Sequence, residues 1–192
     1  HNIRYINQDL TSADKRYPPV WQILEKNNID IGIFGTLQSY PPRSSKNYHF
    51  YIPDTFAPNK KTYPESLNSF QEFNLQLANE NKAQTNNISL KSFLLFFKLI
   101  FSGNISKISI LKILFHMVKE IINKDYKKRR SFIQNLLAFG LYFKLINKYK
   151  PSFTTFFTNH VAATMHRYWK DAYPSDYTKQ KNTNKFNSKL IF

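Results

Sequence analysis

Apolar and polar positions divide this chain into three stretches of different rhythm. In the first, Tyr17-Pro18-Pro19 precedes Val20-Trp21-Gln22-Ile23-Leu24-Glu25-Lys26, a short helix opened by proline and closed by Asn27-Asn28. Ile29 to Leu37 follows as Ile-Asp-Ile-Gly-Ile-Phe-Gly-Thr-Leu, a run apolar enough for a strand covered on both faces. A helix followed by a buried strand indicates an α/β fold. Gln38 to Pro64 reads as loop, with Tyr40-Pro41-Pro42-Arg43 and Tyr51-Ile52-Pro53-Asp54-Thr55-Phe56-Ala57-Pro58 supplying prolines, aromatics and isolated charges. Tyr63-Pro64-Glu65-Ser66 then opens a helix to about Ala78, and Asn79 to Asn87 reads as a polar linker.

The second stretch, Ile88 to Ile146, has a helical period. Ser109, Lys112, His116, Lys119, Glu120 and Asn123 form one polar stripe on an otherwise apolar helix, which predicts burial of the apolar side and a wet stripe carrying His116. Lys127-Lys128-Arg129-Arg130 falls between two helices, where an anionic lipid or nucleic acid is one reading and a solvated turn the other. The third stretch returns to the sheet at Lys150-Pro151. Pro151 to Phe157 is β-branched and aromatic, as a buried strand requires, and Asn159 stands where a helix over 160–170 needs its N-cap. The organisation expected is therefore a core part over 1–87 with strand 29–37, a helical insert or cap over 88–150, and a return to the core over 151–192 with strand 151–157.

The most suggestive chemistry lies at this last strand-to-helix turn. Asn159 and His166 are seven positions apart and share a helical face, and His160 stands at the strand end, so imidazoles and an amide converge where a metal or a phosphate oxygen can bind. The plainer reading is that Asn159 only caps and His166 packs beside Trp169. Arg43 at the carboxyl end of the first strand can hold a phosphate bidentately with Tyr40 nearby, whereas Asp54 either orients it or bonds its own turn.

Composition bounds these readings. With 42% hydrophobic and 17% aromatic residues the 192-residue chain is too apolar for a disordered segment. The net charge of +16 points towards nucleic acid or an anionic membrane, but the excess is mostly Lys among abundant Asn, Ile and Phe, so a solvated lysine surface is the expectation. Without cysteine there is neither disulfide nor thiolate metal site, and ligands would come from His, Asp or Asn. The run Phe93 to Phe101, broken by Lys98, is too short to span a bilayer. The chain opens at His1 without Met and stops at Lys189-Leu190-Ile191-Phe192, which reads as a fragment.

Trp21 to Pro42, then Pro53-Asp54-Thr55-Phe56-Ala57-Pro58, the Tyr63-Pro64-Glu65-Ser66-Leu67 helix start and Pro151 to Trp169 together resemble the type I phosphodiesterase and nucleotide pyrophosphatase branch of the alkaline phosphatase superfamily. The resemblance implies an α/β sandwich with a central, mostly parallel sheet, two divalent metals, usually zinc, and a Ser or Thr nucleophile hydrolysing phosphate mono- or diesters. That nucleophile and the second metal site would lie outside this chain. The resemblance further implies that one metal site begins with Asp and a His four positions later. Here Asn159 and Ala163 hold those places, so metal binding would fall to His166, His160 and Asn159, with Arg43 and Tyr40 facing substrate. The alternatives are a non-catalytic pseudoenzyme and a basic module binding nucleic acid or a membrane surface. No specific nucleic-acid partner and no transmembrane segment are expected.

Overall fold

The computed structural model describes residues 16–82 and 89–177. Among these it is α/β, with helices α1 (Val20–Lys26), α2 (Asn68–Lys82), α3 (Leu90–Phe101), α4 (Lys107–Ile122), α5 (Arg130–Tyr149) and α6 (His160–Ala172), and strands β1 (Ile31–Phe34), β2 (Tyr48–Ile52) and β3 (Phe153–Phe156). The described residues form two compact units, one of 16–75 with 144–157, the other of 76–82, 89–143 and 158–177.

In the first unit the three strands make a parallel sheet in the order β2-β1-β3. Central β1 is buried at every position, as its apolar run demands, but it is shorter than the expected 29–37. Gly35 stops it. Its φ is +69°, and a Cβ there would stand 2.4 Å from the Phe157 carbonyl oxygen, so only glycine lets the chain turn away so close to the exit of β3. Around this turn Gly35 N–H donates to Ile52 O at 2.8 Å and Phe157 N–H to Phe34 O at 3.0 Å, which joins all three strand ends.

Strand β2 lies inside the stretch that reads as loop. Its five residues Tyr-His-Phe-Tyr-Ile are good strand formers, yet flanking prolines and Asn hide them, and only pairing with β1 makes the strand. The register slips between Ile31 and Gly32, and the Phe50 ring occupies the space that a Cβ on Gly32 would take, 2.2 Å from its Cζ. Edge strand β3 is half-buried throughout rather than buried.

Helix α1 has the expected limits. Asn27 caps its end, donating from Nδ2 to Ile23 O at 2.8 Å, and Trp21 and Leu24 pack onto Ile31, Ile33, Tyr48 and Tyr51. Trp21 meets Tyr51 edge-on at 6.4 Å. The opposite side of the sheet is held by Phe70 of α2, 5.6 Å from Phe34, and by fully buried Gln71, whose amide donates to the Pro53 and Asp54 carbonyls. A 3-10 turn over Glu65–Leu67 precedes α2, which runs past Ala78 to Lys82, so the expected linker begins later than Asn79 and its part over 83–87 lies outside the described residues.

The second unit is helical. Ser89 and Ser106 cap α3 and α4, accepting from Ser92 N–H and Ser109 N–H at 3.1 Å each. Glu80 near the end of α2 accepts from both Ser89 Oγ and Ser92 Oγ, the latter at 2.8 Å. Burial acts to raise the Glu80 pKa, but the hydrogen bonds from Ser89, Gln76 and Ser92 outweigh it, and the carboxyl titrates below its ordinary value. Helix α4 overturns the expectation of a wet polar stripe: Ser109, Ile113 and His116 are buried, whereas Ile108, Leu111, Leu114, Phe115, Val118, Ile121 and Ile122 are exposed. The face carrying Ser109 and His116 is the one packed inward. The Lys127–Arg130 cluster falls on the 3-10 turn Lys124–Arg129 leading into α5.

Candidate functional site

The parallel pairing brings the carboxyl ends of β1, β2 and β3 to one edge of the sheet, the place where α/β proteins bind ligands. Asp54 follows β2. It is buried, and its Oδ2 accepts from Gln38 N–H at 2.6 Å while Oδ1 accepts from Phe56 N–H at 2.7 Å. Of the two readings open for Asp54, bonding its own turn is the one observed. Arg43 instead approaches Glu25, Nε to Oε2 at 3.6 Å, and Glu25 also accepts from the Tyr48 hydroxyl at 3.0 Å. Burial, reinforced by that bond to Glu25, raises the Tyr48 pKa far above the usual phenol value, so Tyr48 stays a donor. The Tyr40 hydroxyl accepts from Asn59 Nδ2 at 2.7 Å. Arg43 and Tyr40 thus belong to the sheet unit, each with a protein partner. Thr36 and Thr155, just beyond β1 and inside β3, share a hydroxyl hydrogen bond at 2.6 Å.

Three residues separate β3 from α6. Asn159 occupies the N-cap position of α6 but makes no side-chain cap, and its carbonyl accepts from Ala163 N–H at 3.0 Å. The helix start is nonetheless bonded by a side chain, since Thr164 Oγ1 donates to His160 O at 2.8 Å. The His160 ring is half-buried between Thr158 Oγ1, 3.2 Å from Nδ1, and Asn135 Nδ2, 3.3 Å from Nε2, with Phe132 edge-on at 6.3 Å. In this amide orientation Asn135 donates, so Nε2 accepts and Nδ1 carries the proton donated to Thr158. Burial lowers the His160 pKa, favouring the neutral ring. Asn135 and Phe132 on α5 escape a reading of the sequence because nothing local marks them; they are 25 and 28 positions from the ring they hold.

As metal ligands these residues fit unequally. The lone pair of His160 on Nε2 is engaged by Asn135, so metal binding would require that amide to swing away. His166, on α6, is exposed and presents an imidazole with no such constraint of burial. Among the described residues no three His, Cys, Asp or Glu side chains gather as a metal group. What is present can contribute single ligands to a site completed by other residues. No protein-family model matches the chain, and no curated protein or solved structure matches it.

Proposed function

We propose that this chain is part of a metal-dependent hydrolase of phosphate mono- or diesters, of the phosphodiesterase and nucleotide pyrophosphatase kind. The observation that carries the reading is the parallel sheet with its three carboxyl ends at one edge, whose strand β3 leads within four residues into a helix bearing His160 and His166. His166 and Asn159 are the groups of this chain that would help hold one of two divalent ions, zinc being the choice that suits imidazole and oxygen ligands in a chain without cysteine. Such ions, when bound, supply charge stabilisation and a nucleophile of lowered pKa. Within the sheet unit by itself, Arg43 would offer its guanidinium to an anion in exchange for its 3.6 Å approach to Glu25, and Tyr40 its hydroxyl.

The competing reading is a pseudoenzyme, favoured by Ala163 in place of a ligand and by the engagement of His160 with Asn135. One experiment separates them. Zinc content by mass spectrometry and chelator-sensitive hydrolysis of bis(p-nitrophenyl) phosphate are measured on the intact protein, with the parts expected outside this chain, and on its His166→Ala variant. Stoichiometric zinc and activity, both reduced in the variant, support the hydrolase with His166 as ligand. Zinc unchanged in the variant removes His166 from the site, and absence of both zinc and activity leaves the pseudoenzyme.

A further inference from the structure

The inverted helix α4 and its neighbour α3 each carry an exposed apolar stripe with lysines along one border. At about 100° per residue, the exposed side chains Ile108, Leu111, Leu114, Phe115, Val118, Ile121 and Ile122 sweep an arc of about 140° on α4. Lys112 and Lys119 stand along one border of that arc, between it and the buried Ser109–His116 face. The Lys119 ammonium lies 4.3 Å from the centre of the Phe115 ring, its stem alongside the apolar surface. Helix α3 repeats the arrangement: Leu90, Phe93, Leu94, Phe97 and Phe101 are exposed, and Lys91 and Lys98 flank them on one side. Five residues join the two helices.

Exposure of this extent on two successive helices calls for a covering partner. The charge selects it. Leu90 to Ile122 holds five lysines and one carboxylate, Glu120, which is turned inward against His116 at 2.9 Å. After Asn123 the chain continues into Lys-Asp-Tyr-Lys-Lys-Arg-Arg. A second copy of this chain would bring the same positive field against itself, and nucleic acid has no use for an aliphatic stripe of this breadth. An anionic bilayer offers hydrocarbon below and negative headgroups at the height where border lysines end. No described helix is long and apolar enough to cross a membrane, so the fitting geometry is one that lies in the interface.

We propose that α3 and α4 form a docking face for an anionic phospholipid surface, with Phe93, Phe97, Phe115 and Ile122 entering the headgroup boundary and Lys91, Lys98, Lys112 and Lys119 meeting lipid phosphates. The proposal stands apart from the hydrolase reading, since vesicle binding needs neither metal nor turnover.

The test is sedimentation of the protein with vesicles of phosphatidylcholine alone or mixed with phosphatidylglycerol. Binding is expected to the mixed vesicles and to fall about tenfold or more in Phe115→Glu, where an apolar contact is replaced by a charge. Lys91→Glu with Lys112→Glu should abolish the preference for the anionic vesicles while circular dichroism stays unchanged, because both positions are exposed. In Phe115→Trp, quenching by brominated acyl chains reports entry of that side chain. Failure to bind, binding indifferent to Phe115→Glu, or a dimer in ultracentrifugation that the same substitution dissolves would each overturn the proposal.

Discussion

His116 Nε2 lies 2.9 Å from Glu120 Oε1, one turn apart on the inward side of α4, with the two side chains 10% and 9% exposed. The approach is close but not aligned for a hydrogen bond. Tyr126, in the turn after the helix, closes over the imidazole edge-on at 6.3 Å. Glu120 and Tyr126 thus pack against the imidazole on the side of α4 that is turned inward.

Removing the imidazole should destabilise the packed side of α4. His116→Ala is expected to lower the unfolding free energy by about 1–3 kcal/mol, because it empties the space of a buried ring packed against Glu120 and Tyr126. The double variant His116→Leu with Glu120→Leu should recover part of it. Urea unfolding of the unaltered protein, His116→Leu, Glu120→Leu and the double variant gives the coupling, and additivity of the two single effects would remove the pair from the account.

Two glycines of the sheet unit should respond differently to alanine. At Gly32 the obstacle is the Phe50 side chain, so Phe50→Leu should rescue part of the loss in Gly32→Ala. At Gly35 the obstacle is the Phe157 carbonyl and φ is +69°, so no side-chain change should rescue Gly35→Ala, and its melting temperature should stay depressed.

Asp54→Ala leaves the N–H groups of Gln38 and Phe56 without their acceptor beside the carboxyl end of β2. A loss of about 2–4 kcal/mol is expected from two charge-assisted bonds. Hydrogen exchange should show the amides of Gln38 and Phe56 deprotected, with those of β1 protected until global unfolding.

Acid should weaken the helical unit through His160. Burial holds its pKa below the ordinary histidine value, so between the two pKa values the unfolded chain binds a proton that the native one does not. Stability is full above about pH 6.5, falls as pH drops through that value, and levels once the native ring protonates. His160→Gln keeps polar contacts with Asn135 and Thr158 and should flatten this part of the melting temperature profile from about pH 7 to 5.

The parts of the molecule legible in the sequence were those governed by neighbours along the chain. Pro19 and Asn27 bound α1 as read, the apolar run around Ile31 and Ile33 marks the buried central strand, and α6 begins at His160, directly after its cap position. The α/β class follows from these, whereas the sandwich, the metals and the roles of His166, Asn159, Arg43 and Tyr40 in catalysis remain proposals resting on resemblance. Asp54 was readable as turn chemistry because its partners Gln38 and Phe56 are donors of the same loop region.

What tertiary structure decided is which partner each amphipathic or ambiguous segment meets. Periodicity marks an apolar and a polar side on α4 but carries no direction toward the rest of the fold, and Tyr126 and Glu120 around His116 turn the polar side inward. Strand β2 exists because β1 offers unpaired backbone groups beside it, a fact absent from the residues Tyr48 to Ile52 themselves. The tautomer of His160 is likewise set by Asn135, far away in sequence and adjacent in space. Local sequence determines the elements, since their hydrogen bonds and caps close within a few residues; pairing, facing and burial are decided by contacts between distant residues that only the folded chain brings together.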